Sequence, residues 1–326
     1  MHEGNHRKMT GLKGVVWKMN RMKAFVKTGP GADDLAIEQA AVPEPGDREL
    51  LIRIKAVGVG IHDSYFLPQT IRYPYVIGIE AAGIVEETGN RVTGFRPGDR
   101  VALVSSMHEK GGTWAEFAAV SADSLILPIP DGMSFEQAAA VPVAGNTALK
   151  ALSALDLKQG DSLFIAGASG AIGTLAIQLA TGKGCTVAGS ASKPNHPYMK
   201  SLGADRTVDY RDPDWKRQIL DWKPGGVDAA MAVQPGTSED ALAVVRDGGR
   251  LVTVSGDRAE PERGIRFLQI PHKTDVRHEL NTMINQIADG KIHVEIEQVY
   301  PFSEGLQALR KTQTRHARGK LILTLV

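Results

Sequence analysis

Hydrophobic and polar positions follow two different rhythms along this chain. From Met22 to about Ala140, short stretches of alternating apolar and polar residues are separated by turn-forming groups such as Pro43-Glu-Pro-Gly46 and Arg96-Pro-Gly-Asp99. Regular spacing of short strands and turns is typical of an all-β unit. We therefore predict a largely antiparallel, barrel-like β-domain, with strands over 23–27, 50–59, 82–87, 100–104 and 113–120.

The rhythm changes after Pro142, where helical stretches alternate with short apolar runs. Such alternation predicts an α/β unit that is doubly wound around a parallel sheet. Its expected helices cover 147–155, 171–181, 197–202, 214–222 and 238–246, and its expected strands cover 163–166, 186–188, 227–233 and 251–255. The remaining chain predicts a helix over 280–288, a strand over 294–299, a helix from Ser303 and a final strand over 321–326.

These patterns divide the chain into two domains, as its length of 326 residues also suggests. The β-domain is expected to comprise 22–143 and 292–326, because the tail after Lys291 returns to it, and the α/β domain to comprise 144–291. Residues 1–21 are basic and contain no secretory apolar core, so we expect a flexible extension, with a basic targeting segment as the alternative.

The segment around 161–180 carries the clearest candidate chemistry. A short apolar run, expected to be a buried parallel strand, leads directly into a glycine-rich loop and then into a helical pattern. This order lets a backbone approach a pyrophosphate closely and lets amides at a helix N-terminus face its charge, so it predicts dinucleotide binding. The loop and first helical turn consist of Gly167, Ala168, Ser169, Gly170, Ala171, Ile172 and Gly173.

The next expected strand indicates which dinucleotide is bound. NAD-binding units place an acidic residue about 20 positions after the loop, where it binds the ribose hydroxyls. No carboxylate occurs here between Cys185 and Ala204, whereas Ser190 and Lys193 follow the strand. A hydroxyl and a lysine suit a 2′-phosphate, so NADPH is favoured over NADH. The alternative is that Lys193 is a solvated loop charge.

Composition narrows the remaining choices. The net charge of +1 gives no indication of a nucleic-acid or anionic-membrane partner. The single cysteine, Cys185, excludes an internal disulfide and a multi-cysteine metal site. No apolar run approaches the roughly 20 residues of a membrane span. We therefore expect a cytoplasmic protein with a small-molecule substrate.

Several motifs together resemble the medium-chain dehydrogenase/reductase superfamily and, within it, the zinc-independent quinone oxidoreductases. The resemblance rests on Tyr75-Val-Ile-Gly-Ile-Glu-Ala-Ala-Gly83, Gly94-Phe-Arg-Pro-Gly-Asp-Arg-Val101, the glycine loop, Leu202-Gly-Ala-Asp205 and Gly248-Gly-Arg-Leu-Val-Thr-Val254. It implies a Rossmann domain joined to a GroES-like β-barrel domain. It also implies a homodimer, which we expect to form through a sheet edge around 251–254.

The resemblance is informative about zinc. The metal-dependent alcohol dehydrogenases of this superfamily have a cysteine and a histidine where this chain has Gly60 and Ile79. Neither residue can ligate zinc, so no metal is expected. Without a Lewis acid, the hydride acceptor must already be electron-poor, as a quinone or an α,β-unsaturated carbonyl (an enone) is. Gly60 also replaces an asparagine that is common in the quinone oxidoreductases, which leaves the exact substrate open.

The resemblance also implies two candidate catalytic residues. Tyr65 is similar to a tyrosine that faces the acceptor carbonyl and donates a hydrogen bond or a proton. His62 falls at the position of a proton-relay hydroxyl in the zinc enzymes, and an imidazole could protonate a reduced acceptor near neutral pH. The alternatives are an ordinary packing tyrosine and a solvated or structural histidine.

For the cofactor, the resemblance implies contacts beyond the glycine loop. Thr147 and Ser255-Gly256 match positions beside the nicotinamide, and Tyr210 matches a tyrosine that packs near the 2′-phosphate together with Ser190 and Lys193. Lys320 falls near the cofactor phosphates. Thr147 could instead be only a helix N-terminal residue, and Lys320 only a surface charge.

The leading hypothesis is therefore a zinc-free oxidoreductase that transfers hydride from NADPH to a quinone or a related activated carbonyl. An NADP-dependent enoyl-thioester or enone reductase is the nearest enzymatic alternative. A non-catalytic NADPH-binding redox sensor is an alternative of a different class, and the loss of the asparagine at Gly60 makes it reasonable.

Overall fold

The computed structural model describes residues 21–105, 108–260, 262–271 and 273–325. The expected N-terminal extension therefore lies outside the described residues, except that Arg21 is already the first residue of a strand. The N-terminal part is built from the strands β1 (Arg21–Lys27), β2 (Leu35–Ala41), β3 (Glu49–Val59), β4 (Tyr75–Val76), β5 (Glu80–Thr88), β6 (Arg100–Val104), β7 (Phe117–Ser121) and β8 (Ile126–Pro128).

The expected strand over 113–120 is shorter than predicted, because it begins only at Phe117. Trp114 lies before it in an irregular segment and is fully buried. Its amide donates to the carbonyl of Ile77 over 2.9 Å, and its carbonyl accepts from the amide of Phe25 over 2.8 Å. These bonds hold a bend that positions the indole in the barrel core.

Two helices connect the barrel to the second domain: α1 (Phe135–Ala139) and α2 (Pro142–Leu155). The second begins five residues earlier than the pattern predicts, because Pro142 occupies its first turn, where a missing amide costs nothing. A single apolar core runs from Ala56 and Ala102 of the barrel across α2 to Leu163 of the next strand. The two domains therefore share packed side chains.

The second domain is a Rossmann fold. Its parallel sheet has the strand order β11-β10-β9-β12-β13-β14, in which the order reverses between β9 and β12. Ligands of such sheets bind at this reversal, outside the carboxyl ends of the strands. The elements are β9 (Ser162–Ala166), α3 (Ala171–Gly182), β10 (Thr186–Ser190), α4 (His196–Ser201), β11 (Arg206–Val208), α5 (Trp215–Trp222), β12 (Val227–Ala232), α6 (Ser238–Ala243), β13 (Val245–Thr253), β14 (Arg266–Gln269) and α7 (Arg277–Ala288).

Two predictions for this sheet are wrong. The helix expected over 238–246 ends at Ala243, because Val244 and Val245 are buried and the chain enters β13 there. The segment around 251–254 is not a sheet edge, because β14 pairs with it in parallel. Strands β11 and β14 were missed, since their three and four residues show no clear apolar alternation, and they form the two outer edges of this sheet.

The tail returns to the barrel through β15 (Ile296–Pro301), α8 (Gly305–Gln313) and β16 (Lys320–Thr324). Strand β16 pairs antiparallel with β3 and parallel with β15, so it joins the GroES-like sheet in the order β15-β16-β3-β5-β6-β8. The helix expected from Ser303 starts with a 3-10 turn, Phe302–Glu304, and no side chain caps it. None of the helices in the described ranges has the length and apolar character needed to cross a membrane.

Candidate functional site

The glycine-rich loop lies between β9 and α3, at the carboxyl end of the parallel sheet. Gly167 has a φ of +84°, which favours glycine, and the amides of Gly167 and Ala168 donate to the carbonyl of Ser190 over 3.2 and 3.0 Å. Gly170 precedes α3 in extended conformation, and no side chain caps the helix. The first amides of α3 are therefore available to an anion.

Close packing explains why the last residue of the glycine motif, Gly173, must be a glycine. A Cβ atom added to Gly173 would lie 2.6 Å from the Cα of Ala168, and the next contacts are also backbone atoms. The loop can fold back over the helix only because position 173 has no side chain.

The candidate 2′-phosphate side is formed by the loops after β10 and β11. Ser190 is buried at the end of β10. The carboxylate of Asp209 accepts from the amides of Lys193 and Arg211 over 3.3 and 3.0 Å, so both loops are held together. The guanidinium of Arg211 lies 5.2 Å from the ring centre of Tyr210, which is 45% exposed. Arg211 is a second cation that sequence reasoning missed, although it directly follows Tyr210.

A cleft between the two domains contains most of the other candidate residues. Two cavities, of about 360 and 670 Å³, share His62, Val143 and Val254 in their walls. The smaller adjoins the glycine loop, and the larger is mainly apolar, with Phe66, Phe267 and Ile270 in its wall. Of the predicted residues, the cleft brings together His62, Tyr65, Thr147, Gly170, Ala171, Ile172, Ser255, Gly256 and Lys320. Its walls do not include Ala168, Ser169, Gly173, Ser190, Lys193 or Tyr210.

His62 and Tyr65 form a pair at the cleft wall. The Nδ1 atom of His62 lies 2.5 Å from the hydroxyl oxygen of Tyr65, and the rings meet edge to face. Partial burial lowers the pKa of His62, and the positive charges of Arg315 and Lys320 lower it further. The lowered pKa favours the neutral imidazole. When its Nδ1 carries the proton and donates to Tyr65, the phenol is free to donate into the cleft.

The hydroxyl groups beside the expected nicotinamide position are already oriented. Thr147 donates its hydroxyl proton to the carbonyl of Val143 over 2.7 Å, which leaves the oxygen free to accept a hydrogen bond. The hydroxyl of Ser255 donates a hydrogen bond to the carboxylate of Asp257, which also accepts hydrogen bonds from the hydroxyls of Ser238 and Thr253. These bonds hold the pKa of Asp257 below its usual value despite its partial burial.

Lys320 is buried, and its ammonium group pairs with Glu80. The second carboxylate oxygen of Glu80 accepts from the amide of Val143 over 2.7 Å. Sequence reasoning noted Glu80 only as part of a motif. A lone acid within an apolar strand was the available signal.

Asp63, in the same segment as His62, is a fully buried carboxyl group. One of its oxygens accepts from the amide of Gly60 over 2.7 Å and from the indole of Trp114 over 3.2 Å, while the other has no partner. Burial raises the pKa of Asp63 to about 7, with the nearby charge of Glu80 acting in the same direction and that of Lys320 opposing it.

This pKa predicts how stability depends on pH. Since the ordinary value is 3.8, the unfolded chain releases a proton between about pH 4 and pH 7 that the folded protein retains, so this group lowers stability as the pH rises through that window. The Asp63→Asn variant keeps the accepting oxygen and cannot ionise. We expect it to exceed the wild type in free energy of unfolding by about 1 kcal/mol or more at pH 7 and to match it near pH 4.

Urea unfolding of both proteins at several pH values measures this difference. Asp99→Asn, at a partly exposed position, serves as the control for a generic loss of charge. A stability difference between Asp63→Asn and the wild type that does not change with pH would contradict the assignment.

The residues present do not fit a zinc ion. Gly60 and Ile79 occupy the two ligand positions named above, and neither has a donor atom. Within the part of the chain that the structure describes, no group of three or more histidine, cysteine or acidic side chains could hold a metal ion.

A Rossmann sheet, a glycine loop before an uncapped helix at its reversal point and an interdomain cleft are typical of two-domain, dinucleotide-dependent oxidoreductases. The family models that match this sequence agree with this class of protein. Residues 46–131 match the model of the alcohol dehydrogenase GroES-like domain, and residues 202–323 match the model described as zinc-binding dehydrogenase.

Individual relatives narrow the family. The chain is 36% identical to the trans-enoyl reductase tazE of Aspergillus terreus over 69% of this chain and 81% of that protein. It is 30% identical to the quinone oxidoreductase of Sus scrofa over 94% of this chain and 98% of that protein. The structure of the quinone oxidoreductase from Coxiella burnetii superposes with a TM-score of 0.84 at 28% identity, covering 94% of this chain and 100% of that one. The chain belongs to the medium-chain dehydrogenase/reductase superfamily, among its quinone oxidoreductase-like members.

Proposed function

We propose that this protein is a zinc-free reductase that transfers hydride from NADPH to a quinone or a related activated carbonyl. The observation that carries the proposal is the cleft in which the His62–Tyr65 pair faces the glycine loop, with no group of zinc-binding side chains among the described residues. We retain 22–143 with 292–326 as the substrate domain and 144–291 as the cofactor domain.

The residues present fit the cofactor. The amides at the start of α3 would hold the pyrophosphate, and Lys193, Arg211 and Ser190 would hold the 2′-phosphate with Tyr210 packed beside it. Thr147 and the Ser255-Gly256 segment would contact the nicotinamide. Bound NADPH would supply the hydride.

The acceptor would lie where the two cavities meet at His62. Its apolar part would occupy the larger cavity, whose wall includes Phe66 and Phe267, and its oxygen would point toward Tyr65 in the wall of the smaller one. Hydride transfer adds two electrons and one proton to the acceptor and leaves a negative charge on the acceptor's oxygen. The phenol of Tyr65 would donate its proton to that oxygen. His62 would pass its Nδ1 proton to the resulting phenolate while its Nε2 atom takes up a proton from solvent. Orientation of the two reactants within the cleft would supply much of the remaining rate.

Removing the Tyr65 hydroxyl tests this role. We expect Tyr65→Phe to lower kcat for an enone about tenfold, less than the loss of a typical oxyanion donor, because water can partly replace a side chain that is 56% exposed. The KM for NADPH should not change. Steady-state kinetics of wild type and variant provide the measurement, with Tyr73→Phe, another exposed tyrosine, as the control. Equal kcat values for Tyr65→Phe and the wild type would show that Tyr65 only packs.

An enoyl-thioester reductase is the second candidate function, and the similarity to a trans-enoyl reductase favours it. The same donors would then stabilise the enolate formed when hydride adds to the β-carbon. A redox sensor without turnover is the third candidate, because Gly60 contributes no side chain to the cleft.

We also propose a homodimer. Strand β14 (Arg266–Gln269) is one of the two edge strands of the parallel sheet and pairs only with β13 among the described residues. Its free edge is where a second copy could extend the sheet.

A further inference from the structure

The buried pair formed by Glu80 and Lys320 lies where the two domains meet. The side chains are 2% and 8% exposed, and 240 residues separate them in the sequence. Glu80 belongs to β5, in the middle of the barrel sheet, and Lys320 is the first residue of β16. Burying two charges is costly unless the geometry is specific, so such a pair fixes one arrangement of the elements that carry it.

The carboxylate of Glu80 is surrounded closely. A Cβ atom at Gly58 would lie 2.8 Å from the Cγ of Glu80 and 2.4 Å from the carbonyl oxygen of Ala139. Strand β3 can therefore lie this close to Glu80 only because position 58 is a glycine. On the other side, the amide of Val143 at the start of α2 donates to the carboxylate over 2.7 Å. One side chain therefore sets the positions of β3, β5 and α2.

Lys320 extends this arrangement to the cofactor loop. The preceding residue, Gly319, donates its amide to the carbonyl of Ser169 in the glycine loop over 2.9 Å. Gly319 has a φ of +68°, and a side chain there would collide with Glu295. Because Lys320 follows Gly319, its pairing with Glu80 stabilises the backbone hydrogen bond between the tail segment and the loop expected to bind the pyrophosphate.

We propose that Glu80 and Lys320 are positioning residues: their ion pair holds the glycine loop and α2 at a fixed separation from the His62–Tyr65 pair. The charge of Lys320 is then directed at Glu80 and not at the cofactor phosphates. This inference rests on the proposed reductase function, because the separation matters for hydride transfer.

The experiment compares Glu80→Gln, Lys320→Met and the double variant. Each single change leaves a buried charge without its partner, whereas the double change leaves two neutral side chains of similar shape. We expect kcat to fall about tenfold in each single variant, since small misplacements of reacting atoms are costly, and to recover most of that loss in the double variant. The KM for NADPH should remain within about threefold of the wild type, and the isotope effect with deuterated NADPH should rise in the single variants as hydride transfer becomes slower.

Asp161→Asn and Arg250→Met provide the matched control. Their side chains form a 2.6 Å ion pair that is 20% and 12% exposed, at the opposite end of β9 from the glycine loop. We expect these variants to lose stability without any change in kcat or in the isotope effect.

Two results would overturn the proposal. One is a KM for NADPH that rises equally in Lys320→Met and in the double variant while Glu80→Gln has no effect, because Lys320 would then bind the cofactor directly. The other is a double variant no better than the worse single variant.

Hydrogen exchange of the Gly319 amide separates this inference from the function. If none of the acceptors supported NADPH oxidation by the wild type, the proposed function would be wrong, but the exchange experiment would still test the positioning role. Faster exchange in both single variants with recovery in the double variant supports the positioning role. Exchange that is the same in all four proteins overturns it.

Discussion

The double variant Lys193→Ala/Arg211→Ala is expected to lose at least about a hundredfold in kcat/KM with NADPH, because each charged hydrogen bond to a phosphate contributes about 1.5 kcal/mol or more. With NADH, which has no 2′-phosphate, kcat/KM should remain nearly constant. Both side chains are exposed, and their backbone amides already satisfy Asp209. The substitutions therefore leave the backbone arrangement in place.

Parallel kinetics with the two cofactors give the ratio that decides this prediction. Lys200→Ala, an exposed lysine on the helix after this loop, is the control for loss of surface charge. Equal losses with NADPH and NADH would mean that the substitutions act on the fold. Unchanged kcat/KM values with both cofactors would mean that Lys193 and Arg211 are solvated charges and that any preference for NADPH has another origin.

The second large effect is expected at the glycine loop. The Gly173→Ala variant should bind NADPH at least about a hundredfold more weakly, because the new Cβ atom would lie 2.6 to 2.7 Å from three backbone atoms of Ala168. Backbone cannot move aside as a flexible side chain can, so the loop must shift, and with it the amides that face the pyrophosphate.

The same helix offers a matched control for this change. Gly182 ends α3, has no atom within 4 Å of its added Cβ and does not have a positive φ. Gly182→Ala should retain wild-type affinity and gain slightly in stability, since alanine favours helix over glycine. Cofactor titration by fluorescence measures both variants. Wild-type affinity in Gly173→Ala would show that the dinucleotide does not bind at this loop.

Local patterns were sufficient to predict the Rossmann core. The glycine loop between β9 and α3 was predicted because strand, loop and helix signals are contiguous, and the chemistry of a pyrophosphate requires all three together. The expectation that no zinc is bound rests on Gly60 and Ile79, whose lack of donor atoms does not depend on distant contacts, and it stays a prediction.

Long-range features could not be predicted in the same way. The Glu80–Lys320 pair joins residues 240 positions apart, and nothing local distinguishes Lys320 from a surface charge. The raised pKa of Asp63 results from its burial beneath the barrel, and β14 is recognised as a strand only through its pairing with β13. Tertiary packing determines all three.

Zinc-free reduction by NADPH is best tested by steady-state cofactor oxidation with the chelator-treated protein. NADPH and NADH are compared against ortho- and para-quinones, one enone and one enoyl thioester. We expect turnover with a quinone or the enone, a clear preference for NADPH, and no stimulation by added zinc. Tight NADPH binding without oxidation by any acceptor, or turnover only after zinc is added, would contradict this expectation.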